Sequence, residues 1–189
     1  KLLELRGYAM AFLKSRRGAV VVTVLVILFS VVFGAHRSLT SLRSDALEVF
    51  ETGAYGDGHS VKGDLEARRA TCANLYTVAS RYLPADNANL TDLKSNLDAL
   101  SADVTDPFAQ ADLAVVAELV LNTLADEALS EQDAKYVSGF TAELQSRTLS
   151  IAKDPYNAQA LDFNNHVLGT FPANLLRHVA FVSPLPTYR

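Results

Sequence analysis

The sequence predicts an all-α protein in which one membrane-spanning helix continues into an antiparallel bundle of long helices. Three observations carry this prediction. Residues 18–35 read GAVVVTVLVILFSVVFGA, without a charge or a proline. Beyond them, apolar residues recur every three to four positions in segment after segment, the period of a helix buried along one face. Between the striped segments lie short turn-forming stretches such as TGAYGDGH at 52–59.

Residues 18–35 define the first element. At about 1.5 Å per residue they reach about 27 Å, against a hydrocarbon core of about 30 Å. A backbone in lipid must satisfy its own hydrogen bonds, so a helix is the expected form. The preceding arm, 1–17, is short and basic. Its apolar residues suit the membrane interface, or the arm has only a topogenic role. A basic arm before an apolar run also occurs in signal peptides, with a cut conceivable after Gly34; the expectation here is a retained span. Lys14, Arg16 and Arg17 flank it on one side. On the other, Arg37 and Arg43 are offset by Asp45, Glu48 and Glu51. The positive-inside rule therefore places the N-terminus in the cytoplasm and the body outside, as a single-pass protein of the cell membrane.

Charge is distributed unevenly. The whole chain of 189 residues has 17 basic and 21 acidic side chains, net −4. Lys1, Arg6, Lys14, Arg16 and Arg17 face only Glu4 in the first 35 residues, so the body from 36 to 189 is acidic. An acidic body without a Lys/Arg stripe lacks the footprint for nucleic acid. The single cysteine, Cys72, excludes an intrachain disulfide.

The body follows in order. Leu39, Leu42, Ala46, Val49 and Phe50 keep a helical spacing, so the span is expected to run unbroken to about Glu51. Ser60 is a plausible N-cap for a second helix reaching about Leu83, with Asp64 and Glu66 favourable near its start. Arg68 and Arg69 interrupt its apolar face. They suit a ligand clamp or an inter-subunit pair, or more simply snorkelling or pairing with an acid on the next helix. Leu90, Leu93, Leu97, Leu100 and Val104 mark a third helix, capped by Asn89 or Thr91. Residues 108–127 form the most apolar helix of the body and are expected at its centre. Residues 127–133 make the next turn. A last long helix is expected from about Glu131 to Thr170, kinked at Pro155; the alternative is that Asp154 caps a new helix with Pro155 at its first position. From about 171 the tail is expected to be extended.

The tail carries a resemblance. Tyr156–Asn157, Phe163–Asn164, Phe171–Pro172–Ala173–Asn174 and Pro186–Thr187–Tyr188 stand in the order and type found at the end of LemA-family proteins. Residues 64–83, with an acidic start, paired basics and then Asn74–Leu75, resemble that family's early helix. The chain departs from the family at Pro155, where family helices run on, and in the acid-rich loop 84–107. The resemblance covers 36–189. It implies a bacterial membrane protein with a bundle of long antiparallel helices on an anchor, and no enzyme activity or cofactor.

Residue chemistry agrees with that implication. GxGxxG, GxxxxGK(S/T), HExxH and GxSxG are all absent from the sequence. Cys72, on the apolar stripe, reads as a core hydrophobe rather than a nucleophile. His166 with Asn164 and Asn165 makes a polar cluster, expected to hydrogen-bond helix to tail with Asn174 reaching back. The acids around the 127–133 turn read as a solvated edge, with weak Ca²⁺ binding a remote alternative. The sequence therefore points to a non-enzymatic, membrane-anchored, self-assembling scaffold that is a homo-oligomer with the bilayer as its partner. A receptor or adaptor holding a protein or peptide between helices is the alternative.

Overall fold

A computed structural model describes residues 15–56 and 58–189. Most of the basic arm, 1–14, therefore lies outside the described residues, as does the interfacial role expected of it. Every regular element among the described residues is helical: α1 (Arg16–Thr52), α2 (Val61–Ala79), α3 (Ala88–Ala102), α4 (Pro107–Ala125), α5 (Glu131–Lys153), α6 (Pro155–Asp162), a π-helical turn (Phe163–Val167) and α7 (Ala173–Val179).

α1 runs 37 residues without a break, through the apolar run and into the body. Ser15 caps it, its hydroxyl accepting from the Gly18 N–H at 2.9 Å. Gly53 ends it at φ 83°, where a side chain would be strained, and gives its N–H to Val49. From Val20 to Phe33 most of its large apolar side chains are exposed, whereas Leu39, Ala46 and Phe50 are buried. One helix thus has a half that is almost wholly exposed and a half that belongs to the core. It is long and apolar enough to cross a membrane.

α2 to α5 form the bundle, and side-chain contacts fix its antiparallel order. Arg147 on α5 meets Asp64 at the start of α2 at 2.7 Å, while Arg81 just beyond α2 meets Asp133 at the start of α5 at 2.9 Å. Asn89 at the start of α3 donates to Thr123 near the end of α4. α2 is the central helix, packed on α1, α3, α4 and α5. This corrects the expectation that 108–127 would be central. Leu113, Ala117, Val120 and Leu124 of α4 are buried, but Phe108, Val115 and Leu119 are exposed. α4 is apolar on two sides and only one is covered.

Several boundaries differ from expectation. α2 ends at Ala79, with turns over 80–83. α3 begins two to four residues earlier than expected, because Asn87 rather than Asn89 or Thr91 is the cap and accepts from the Leu90 N–H at 3.1 Å. Pro155 divides the last helix instead of kinking it. Asp154 ends α5 and caps α6, its carboxylate accepting from the Tyr156 N–H at 2.8 Å. A proline with no N–H is well placed at the first helical position, and Asp154 supplies the acceptor. The tail is also not wholly extended, since α7 interrupts it before residues 181–189 run without helix.

The core has two clusters. One joins α2, α3 and α4 through Cys72, Leu75, Leu93, Leu113, Val120 and Leu124, with Val137, Phe140 and Leu144 of α5 packed against it. The other joins Leu39, Ala46 and Phe50 of α1 to Val61, Leu65, Ile151, Tyr156, Phe163 and the tail residues Val182, Leu185 and Tyr188. The tail is therefore part of the core that ties the long first helix to the bundle.

The turn before α5 carries a buried charge. The Asp133 carboxylate accepts from Tyr82 Oη at 2.6 Å, from Ser130 Oγ at 3.1 Å and from Arg81. These contacts, the tyrosine first, hold its pKa below the usual carboxylate value. A depressed folded-state pKa adds stability above the unfolded value of about 3.9, and that stability is lost as pH falls through the folded value. The acid limb of an unfolding-versus-pH curve should therefore flatten in Asp133→Asn relative to the unchanged chain.

Candidate functional site

Five of the residues singled out in the sequence, Arg68, Tyr156, Asn157, Phe163 and Asn164, converge on the tail. Asn157, on α6, grips Tyr188 through both ends of its amide. Its Oδ1 accepts from the Tyr188 N–H at 2.8 Å, and its Nδ2 donates to the Tyr188 carbonyl at 3.0 Å and to that of Ile151 at 2.7 Å. Asn164 does the same for Leu185, donating to its carbonyl and accepting from its N–H, both at 2.8 Å. An amide presents one donor side and one acceptor side, so it can replace the missing neighbour of an extended strand. Asn157 and Asn164 are seven apart, about two helical turns, and so project toward the same strand. Tyr156 donates from its Oη to the Pro186 carbonyl at 2.8 Å, and Phe163 is buried beside it in the core.

α1 and α2 hold the same strand from other sides. The Ala180 carbonyl accepts from His36 Nδ1 at 2.7 Å, and the Ser183 carbonyl from Arg43 Nε at 3.2 Å. Arg68 donates from both terminal nitrogens to the Arg189 carbonyl, at 3.2 and 3.3 Å, and from one to Thr148 Oγ1 at 3.3 Å. His36 and Arg43 were not legible as tail-binding residues, because their partners are main-chain carbonyls more than a hundred residues away in sequence.

Other expectations need correction. Arg68 has no carboxylate within ion-pair distance among the described residues; Asp64, the nearby acid, is taken by Arg147. The guanidinium is only 1% exposed and its Nε has no partner. Burial lowers its pKa, opposed by Cys72 and Asp64. Arg69 pairs with no acid either, donating instead to Ser101 Oγ at 2.8 Å. Asn174 does not reach back to the asparagine cluster: its Oδ1 is buried without a partner. His166 is exposed and bonds Asp162 one turn away. Phe171 and Pro172 are exposed at the entry to α7, joined by a cis peptide bond. Around the 127–133 turn, Asp133 serves Tyr82, Ser130 and Arg81, and Glu131 pairs with Lys135, so the turn does not gather its carboxylates around a cation.

The buried thiol of Cys72 has its pKa pushed up to about 12, chiefly by desolvation. It should stay unreactive to a water-soluble aromatic disulfide in the folded chain and react only on unfolding; rapid labelling of the native protein would contradict its place in the core.

One groove stands out. It lies between α4 and α5, encloses about 460 Å³, and is lined by Leu121, Leu144 and Leu149 together with Glu118, Asn122, Gln145 and Arg68. The lining is therefore mixed, with one carboxylate as well as one guanidinium among apolar side chains, and it singles out no ligand charge.

No protein-family model, no curated protein and no solved structure matches this chain.

Proposed function

We propose that this chain is a non-enzymatic, single-pass membrane protein of the LemA type that self-assembles into a scaffold at the membrane surface. The observation that carries the reading is the uncovered stripe of α4. Phe108, Val115 and Leu119 lie on one exposed face, on a rigid body joined to the span by an unbroken helix. An exposed apolar stripe of this kind marks an association surface. Copies anchored in one bilayer all present it at the same height and orientation, which favours a closed ring or cage over random aggregation.

Light scattering and particle imaging of the full chain, extracted in mild detergent, test this. Multi-copy particles are expected, and Leu119→Glu should reduce them to monomers without unfolding the bundle. A monodisperse monomer at micromolar concentration would sink the proposal. Orientation is tested separately with Tyr55→Cys in a Cys72→Ser background. Position 55 is exposed, whereas the nearby Gly58 sits at φ 82° and would strain a new side chain. Labelling of intact cells by an impermeant thiol reagent would place the body outside.

The groove over Arg68 favours a second reading, an anchored module that captures a partner. One partner co-purifying at fixed stoichiometry, and lost in Arg68→Met, would support it.

A further inference from the structure

α7 and its flanks carry four large apolar side chains that the described chain leaves half or more exposed. Phe171 is 79% exposed, Leu175 64%, Val179 50% and Phe181 90%. Leu175 and Val179 are four apart within α7 and share one face, and Phe171 is exposed just before the helix. The other side turns inward: Ala173 packs against the core and Ala180 is buried. Phe181 adds a second oddity. Its backbone lies at φ 54°, in the left-handed region that is unfavourable for an aromatic residue, and the conformation leaves the ring almost wholly open. In water that arrangement has neither a backbone nor a burial advantage.

The position of α7 gives the face a use. α7 packs against α1, and the Ala180 carbonyl meets His36, the first residue after the apolar run. From Gly18, position 36 lies about 27 Å along the helix, against a hydrocarbon thickness of about 30 Å. Ala180 is thus level with the edge of the hydrocarbon. Val32 and Ala35, near the end of the run, are partly covered, while Val31, Phe33 and Gly34 are exposed. From Ala180 the strand then runs along α1 away from that edge, since Ser183 meets Arg43 and Tyr188 stacks on Phe50.

We propose that this face is a second membrane contact. α7 lies in the interfacial layer of the bilayer that α1 crosses, with Phe171, Leu175, Val179 and Phe181 among the phospholipid glycerol and upper acyl groups. The inference rests on the reading of α1 as a membrane span and adds a surface to it. A seven-residue helix would not hold a membrane alone. Fixed beside a span, it is already delivered to the interface, so ordinary apolar burial suffices. A span alone leaves the body free to rotate and tilt; a span plus one off-axis contact removes that freedom. The lipid contact is tied mechanically to the core, because the strand leaving α7 is the one held by Asn164 and Asn157.

The chain has no tryptophan, so single substitutions are clean reporters. Phe181→Trp, Leu175→Trp, Phe29→Trp in the span and Phe108→Trp on α4 are each made in the full chain and reconstituted into phosphatidylcholine–phosphatidylglycerol vesicles. Quenching is measured with lipids brominated near the headgroup, with lipids brominated deep in the acyl chain, and with aqueous acrylamide. The expected result is blue-shifted emission at 181 and 175, quenched more by shallow than by deep bromines and shielded from acrylamide. Position 29 should respond to deep bromines. If 29 responds but 181 and 175 are quenched only by acrylamide, the interfacial contact is wrong and the anchor stands. If 181 and 175 are shielded from both bromines and acrylamide, protein covers the face and the lipid assignment fails. If 29 also escapes the bromines, the anchor reading fails and this contact with it. Position 108 gives the signal of a residue away from the bilayer.

Discussion

Tyr188→Ala is expected to destabilise the folded chain by about 3–5 kcal/mol, the range for removing a buried aromatic side chain. Tyr188 is buried although it lies next to the final residue of the sequence. Its ring stacks on Phe50 of α1 at 5.3 Å between centroids and lies 6.2 Å from Tyr156 of α6. Its hydroxyl donates to the Thr105 carbonyl at 2.7 Å, beside the α3–α4 turn. One side chain therefore joins the long first helix, the divided last helix and the middle of the bundle. Burial, together with the nearby Tyr156, raises its phenol pKa. Tyr188→Phe removes only the hydroxyl bond and should cost about 1 kcal/mol. Denaturant unfolding of the three forms in one mild detergent, followed by circular dichroism, gives the comparison. Equal losses in both variants would mean that the hydroxyl bond, not the aromatic stack, fixes the tail. No loss in either would mean that the tail is not part of the core.

Much of the architecture was legible because it rests on periodicity. The all-helical class, the unbroken passage from apolar run to body, the Ser60 cap and the stripe through Cys72 follow from local spacing. What failed has particular causes. Pro155 allowed either a kink or a fresh start, and the choice turned on the Asp154 carboxylate reaching the Tyr156 N–H, a contact that competes evenly with a kink on paper. α4 was placed at the centre because it is the most apolar helix, but apolarity fixes how much surface should leave water and not which neighbour covers it. The π-helical turn, closed by the Leu168 N–H on the Phe163 carbonyl at 2.8 Å, has no spacing signature. For Arg68 and Arg69 the simpler expectation was snorkelling or pairing with an acid on the next helix, and neither meets a carboxylate among the described residues. Asp64 had been claimed by Arg147, a contact across 83 residues that composition does not reveal. Of the asparagines expected to join helix to tail, Asn164 does so, through the main chain of Leu185, whereas Asn157, which holds Tyr188, entered only through the family resemblance.

Asn157→Ala is expected to cost about 2–4 kcal/mol, because the Tyr188 N–H and carbonyl lose their partner together and the Ile151 carbonyl keeps only the Asp154 N–H. An unsatisfied buried group costs about 1–3 kcal/mol, and partial access of water moderates the sum. Asn157→Asp separates shape from hydrogen bonding. The carboxylate still accepts from the Tyr188 N–H, but it cannot donate to the Ile151 and Tyr188 carbonyls, and it sets a negative charge against both oxygens. At neutral pH this variant should be no more stable than the alanine one. Its folded-state pKa must lie above the unfolded value of about 3.9, so the neutral form favours folding. By linkage that support is present below the unfolded pKa and lost as pH rises through the folded one, so the deficit relative to the unchanged chain should shrink on acidification. A deficit independent of pH would show that the two carbonyls do not face the carboxylate. Asn164→Ala provides the cycle. Both asparagines hold one strand, so once either is removed and the strand lifts, the other has less to lose. The double variant should therefore cost less than the two single losses combined. Strict additivity would mean that residues 185 and 188 dock independently, and the tail would then no longer act as the single strap that carries force from α7 to the bundle.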